Sequence, residues 1–192
     1  MNFYFLSSKS IDAYAYVNKF THSISQCEYC ESNHMTPSFP ISYELTGKKI
    51  GDTAFMLGNR LFSDHFADIL NDNLIDGFVR QKAYCSKWTD RKGNILNISE
   101  VSYCFLDVTS KCGDIMNIDG STIPKCPKCN KPLFKTNDRY GVSFDMNKWD
   151  GSDIFVFDNL PNLPIVTEKL KNILVKNKLT NIKFEDISKA KF

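Results

Sequence analysis

CEYCES, residues 27–32, and CPKCNKP, residues 126–132, decide how this chain is read. Each holds a Cys-x-x-Cys turn, and 95 residues lie between Cys30 and Cys126. A turn of this length lets both sulfurs face one ion, and two such turns together supply the four thiolates of a tetrahedral zinc site. In the second turn Pro127 restricts the backbone, Asn130 tolerates positive φ after the second cysteine, and Pro132 stops the turn, which is the pattern of a zinc knuckle. The first turn keeps the spacing but places Glu31 where Gly or Asn would suit the backbone better.

The setting of the cysteines narrows their chemistry. The opening MNFYFLSSKSIDAYAYV has a short apolar run before Ser7, no basic region ahead of it and no small-residue cleavage site, so it does not read as a signal peptide. No stretch approaches the roughly 18 apolar residues of a spanning helix. A cytoplasmic, reducing location is expected, where seven cysteines serve as ligands or core residues rather than as a disulfide framework. One site shared by Cys27, Cys30, Cys126 and Cys129 is the preferred reading. Separate sites completed by His22 or His34, or no metal at all, are the alternatives, and a thioredoxin-like redox pair is disfavoured because neither turn joins a strand to a helix in a βαβ unit. Four thiolates leave no open coordination position, so the expected Zn2+ is structural. Cys85 and Cys104 sit in apolar strand contexts and read as small core residues. Cys112, in a polar turn, has no assigned role, and His65 is expected to be a packed structural histidine.

At 192 residues, 42% hydrophobic and 24% charged, the chain suits one globular domain spanning 1–192. NFYFL (2–6), DAYAYVNKF (12–20), ISYEL (41–45), GFVRQKAYCSKW (77–88), VSYCFLDV (101–108), GVSFDM (141–146), DIFVFD (153–158) and NIKFEDI (181–187) read as strands. A polar loop is expected to hold the first cysteine pair. Two amphipathic helices follow Ser63 and Thr167, each with a capping hydroxyl and then an acid, Asp64 or Glu168. The pattern predicts an α+β fold: a mostly antiparallel sheet, two main helices, and a zinc knuckle joining the N-terminal and C-terminal parts. The stretches 50–82 and 152–187 resemble each other loosely, as any two capped amphipathic helices before strands would.

No GxSxG, HExxH, Walker loop or dinucleotide-binding fingerprint is present, and three histidines leave little material for general-base chemistry. A non-enzymatic protein is expected. Asp64, Asp68 and Asp72 recur every fourth residue as an acidic stripe on the first helix, read either as a solvated face or as a partner-binding surface. Lys125, Lys128, Lys131, Lys135 and Arg139 cluster around the second knuckle. They support an alternative zinc-ribbon nucleic-acid binder, against which the net charge of +2 and the lack of a recognition helix both count.

The order of the two cysteine pairs, a long β-rich middle and the ending WDGSDIFVFDNLPNLPIVTEKLKNILVKNKLTNIKFEDI resembles the double-CXXCG family of immunity proteins from bacterial polymorphic toxin systems. Trp149, Gly151, Asp153, Ile154, Phe155, Val166, Thr167, Glu168, Leu179, Thr180 and Phe184 carry the resemblance, with Glu31 and Asn130 standing where the family motif has glycine. It implies a non-enzymatic inhibitor that binds one cognate protein toxin tightly, without involving a membrane.

Overall fold

The computed structural model describes residues 1–9, 11–134 and 140–191. It is sheet-rich with two helices, an α+β architecture. Lys135, Asp138 and Arg139 of the basic cluster lie outside the described residues.

Three bodies of structure pack on one another. The first is a closed six-stranded barrel. In chain order its strands are β2 (Tyr16–Phe20), then, after the hairpin β3 (His22–Gln26) and β4 (Asn33–Pro37), β5 (Ile41–Thr46), β6 (Thr53–Met56) and β7 (Asn59–Ser63). It is completed by β8 (Phe78–Thr89) and β9 (Tyr103–Val108), and the order around it is β2-β5-β8-β9-β7-β6. The second is an open sheet that joins the two ends of the chain. It contains β1 (Phe3–Ser8) and three strands that follow the short hairpin β10 (Met116–Asn117) and β11 (Val142–Ser143): β12 (Ile154–Phe157), β13 (Leu160–Thr167) and β14 (Ile182–Asp186). Its order is β12-β13-β1-β14, with β1 antiparallel to both neighbours. The third is the pair of helices, α1 (Asp64–Asp72) and α2 (Glu168–Lys176). Among the described residues no helix is long and apolar enough to cross a membrane.

Most pairings are antiparallel; β2 with β6 and β5 with β8 are parallel, and they close the barrel. The long β8 makes closure feasible, because Phe78–Lys82 pairs with β9 while Ala83–Thr89 has moved on to β5. Ile41, Tyr43 and Leu45 of β5 alternate with half-buried residues and point inward, as period-two patterning requires. They meet Val17, Met56, Leu61 and Trp88 in the barrel core.

Both helices begin as their caps dictate. The Ser63 hydroxyl accepts the Phe66 N–H at 3.0 Å and the Thr167 hydroxyl accepts the Leu170 N–H at 3.2 Å, each satisfying a donor the helix cannot. Phe66, Ile69 and Leu70 of α1 and Leu170 and Leu174 of α2 then bury one stripe each. Both stripes enter a single central core with Leu6, Leu106, Ile154 and Val166. A second aromatic core, built on Phe3, Phe5, Phe144, Phe155 and Phe157, lies under the open sheet. The 141–146 stretch departs from the strand pattern: pairing stops after Ser143, and the Asp145 side chain caps a short 3-10 turn at Met146–Lys148 instead.

Candidate metal centre

The first cysteine pair does not sit in an open loop. It forms the tip of the β3–β4 hairpin, where five cross-strand pairs from His22↔Pro37 to Gln26↔Asn33 lead straight into the turn. There the Cys27 N–H donates to the Ser32 carbonyl at 3.0 Å and the Glu31 N–H to the Cys27 carbonyl at 2.9 Å. The second turn is bonded alike: Cys126 N–H to the Lys131 carbonyl and Asn130 N–H to the Cys126 carbonyl, both at 2.9 Å. A bridge between Lys125 and Pro132 closes its base. Each turn has a left-handed residue after its second cysteine, Glu31 at φ 56° and Asn130 at φ 63°.

The two turns face each other. The Sγ atoms of Cys27, Cys30, Cys126 and Cys129 all lie within 4.8 Å of one another. Across the junction Cys27 and Cys126 are 3.7 Å apart, and Cys30 and Cys129 are 3.5 Å apart. Four thiolates at about 2.3 Å from a tetrahedral zinc would be separated by about 3.8 Å. The donor set therefore fits a thiophilic divalent ion such as zinc. Cys27 and Cys126 are buried while Cys30 and Cys129 are partly exposed, so the ion would lie shallowly, with all four positions taken by sulfur.

The electrostatics of the first turn favour thiolates. Backbone N–H groups of Cys30 and Tyr29 lower the Cys27 thiol. The Ser32 hydroxyl and then the Ser32 N–H bring Cys30 down to about 6. Cys129 accepts the Lys131 N–H, which helps its thiolate, yet desolvation and the neighbouring sulfurs push it up to about 12. Sulfurs this close cannot all ionise unaided, and a divalent cation is what replaces the shared protons.

Neither histidine beside the turns joins the group. The His22 Nδ1 is 2.8 Å from the Phe20 carbonyl oxygen, and its ring packs on Phe20 at 4.5 Å. His34 lies on β4 and lines a cleft of about 520 Å³ with Cys129 and Lys131. The other cysteines stay outside as well. Cys104 and Cys112 are buried, and burial pushes their thiols up to about 11 and about 12. Cys112 is a core residue of the aromatic cluster whose Sγ–H donates to the Val156 carbonyl at 3.5 Å, a role its polar sequence neighbours conceal. His65 is exposed on α1 rather than packed, on the flank of the buried stripe.

The acidic stripe is only partly open. Arg80 of β8 pairs with Asp64 and with Asp68, the latter at 3.0 Å, and the Ser102 hydroxyl also donates to Asp64. Although burial opposes it, these two partners hold the Asp64 carboxyl below its usual value. Asp72 makes no ion pair among the described residues and is exposed. Two described members of the basic cluster are likewise engaged: Lys125 pairs with Asp114 at 2.7 Å and Lys128 with Glu28 of the opposite turn at 3.3 Å.

No protein-family model matches the chain, and no curated protein matches it.

Proposed function

We propose that this chain is an immunity protein, binding and neutralising one cognate bacterial toxin, with a single zinc ion in a structural role. The observation that carries the reading is where the residues of the family resemblance fall. Trp149 meets Phe3 edge-to-face and Phe155 at a tilt, with ring centroids 5.2 and 5.5 Å apart. Asp153 accepts the Thr167 hydroxyl at 2.5 Å, and Thr167 caps α2. Ile154, Phe155 and Val166 are core, and the Thr180 backbone N–H and hydroxyl are held by Asp52 at 2.6 and 2.8 Å. These residues make a scaffold. A protein recognised by its scaffold does its work through the surface the scaffold displays, which is what a toxin inhibitor requires.

The four-thiolate site supports the same reading, since a closed coordination sphere positions chain segments and offers no place for substrate. Affinity would rest on a few buried anchors, with charge matching to speed encounter. Asp68 and Asp72 of α1, with Asp64 behind them, are the charges a basic toxin such as a nuclease would meet. The test is co-purification with the product of the adjacent upstream gene, followed by titration calorimetry. A tight one-to-one complex is expected, and no detectable binding would overturn the reading. Within that complex, Asp68→Lys with Asp72→Lys should slow association about tenfold at low salt; an unchanged rate would move the contact surface elsewhere.

A further inference from the structure

The two halves of the chain contain the same hairpin–helix–strand unit, once in the closed barrel and once in the open sheet. β6, β7, α1 and β8 run in the order hairpin, capped helix, strand, and β12, β13, α2 and β14 repeat it. A strand from elsewhere is inserted in each. β9 lies between β7 and β8, and β1 lies between β13 and β14, so the orders β6-β7-β9-β8 and β12-β13-β1-β14 are the same. The registers of the two inserted strands agree residue by residue. The cap residue Ser63 pairs with Tyr103 at the start of β9, and the cap residue Thr167 pairs with Phe3 at the start of β1. At the other end Phe78 pairs with Val108 and Ile182 with Ser8.

The likeness continues in detail. Ser63 and Thr167 each donate their hydroxyl to an aspartate at the start of the hairpin, Asp52 and Asp153. Asn73 and Asn177 close the helices with the same side-chain bond, 2.9 Å to the Ile69 and Ile173 carbonyls. Leu74 and Lys178 follow in left-handed backbone at φ 54° and 55°, and Gly77 and Asn181 hold positive φ before the next strand. Asn59, the first residue of β7, and Asn159, one position ahead of β13, are both buried with amide nitrogens that lack a partner among the described residues. Upstream, β2 pairs with β5 as β10 pairs with β11, and Cys27 and Cys30 precede the first unit as Cys126 and Cys129 precede the second.

We infer that the chain is a tandem duplication whose two copies, residues 1–100 and 101–192, have exchanged their first strands and share one metal site. In chain order each copy is a strand, a cysteine knuckle and a hairpin–helix–strand unit. The first strand of each copy is built into the sheet of the other, and each copy supplies one Cys-x-x-Cys pair. β1 and β9 are thus interchangeable parts, which their sequences reflect: FYFLSS and YCFLDV share Phe5 with Phe105 and Leu6 with Leu106. Leu6 and Leu106 enter the same central core between the helices, where the two copies meet. The metal is then a second clamp across a junction that the exchanged strands already hold. The helices have meanwhile diverged in charge: Asp64, Asp68 and Asp72 of α1 correspond to Glu168, Asn172 and Lys176 of α2.

The test cuts the full chain once. A specific protease site inserted between Ile98 and Ser99, in the exposed turn ahead of β9, allows cleavage of the folded, metal-loaded protein. Exchange predicts that both pieces elute as one particle and continue to do so after a chelator strips the metal. Pieces that part on chelation while each keeps its folded circular-dichroism spectrum would overturn it, since the knuckles would then be the only link. Should chelation unfold the cleaved protein, a circular permutant beginning at Ser99, with Phe192 joined to Met1 by a flexible linker, decides. Because the permutant keeps the order of elements of the native chain, it should unfold cooperatively and hold one zinc per chain. A permutant with neither property would overturn the equivalence of the copies.

Discussion

Glu31 and Asn130 occupy the same place in the two cysteine turns, each in left-handed backbone, with φ of 56° and 63°. The conformation is imposed by the N–H each donates back to the first cysteine carbonyl, but the steric cost differs. Asn tolerates this region through its short polar side chain, whereas Glu pays the usual Cβ penalty of about 1 kcal/mol. Glu31→Gly should therefore stabilise the zinc-loaded protein by about 1 kcal/mol or somewhat less, and Asn130→Gly should change it little. Equilibrium denaturation of the two variants checks the difference, and an equal response would show that strain is not what separates them.

The four sulfurs predict one zinc per chain by elemental analysis, and Cys27→Ser or Cys126→Ser should each abolish stoichiometric binding. With metal bound, thiol reagents at neutral pH should react slowly throughout, since Cys104 and Cys112 are buried and burial also raises Cys85. Chelation should free the four thiols for reaction, Cys30 first because its thiol is held down at about 6. The same four reacting quickly before chelation would refute metal occupancy.

The helix caps should matter in parallel. Ser63→Ala and Thr167→Ala each remove a cap and a bond to an aspartate, at a cost of about 1–2 kcal/mol. The two losses should be similar, because Asp52 and Asp153 accept from the two hydroxyls alike. Denaturant midpoints measure this; a variant within experimental error of the parent would show the cap to be redundant.

Asp90 sets an acid limit. Its carboxylate accepts from the Asn94 side chain at 2.9 Å and from the N–H groups of Asn94 and Lys92, which hold it below the ordinary carboxylate value. A depressed folded-state pKa adds stability that is present above the unfolded value, about 3.9, and lost as pH falls through the folded value. Asp90→Asn should therefore narrow the gap in melting temperature between neutral pH and about pH 3. An unchanged gap would assign acid sensitivity to other carboxylates.

Much of the fold was legible because its signals are local. Ser63 and Thr167 announce helices through bonds that span three residues, and Ile41, Tyr43 and Leu45 announce a strand by alternation alone. The cysteine pairs were legible as turns for the same reason. Other features were hidden because their cause lies far away in the chain. Cys112 sits among polar neighbours yet is covered by Phe155 and Phe157. The Asp64 carboxylate reads as free on its helix yet is claimed by Arg80 and Ser102.

The sequence by itself determined the turns, the caps and the inward faces, since each follows from sterics and hydrogen bonding within a few residues. Only the tertiary structure decided that Cys27 and Cys30 face Cys126 and Cys129, that β8 passes from one partner strand to another to close a barrel, and that β1 is built into the sheet formed by the chain's far end. Those outcomes depend on which distant surfaces bury each other. FYFLSS presents an apolar face that would suit several sheets, and only the assembled core shows which of them it completes.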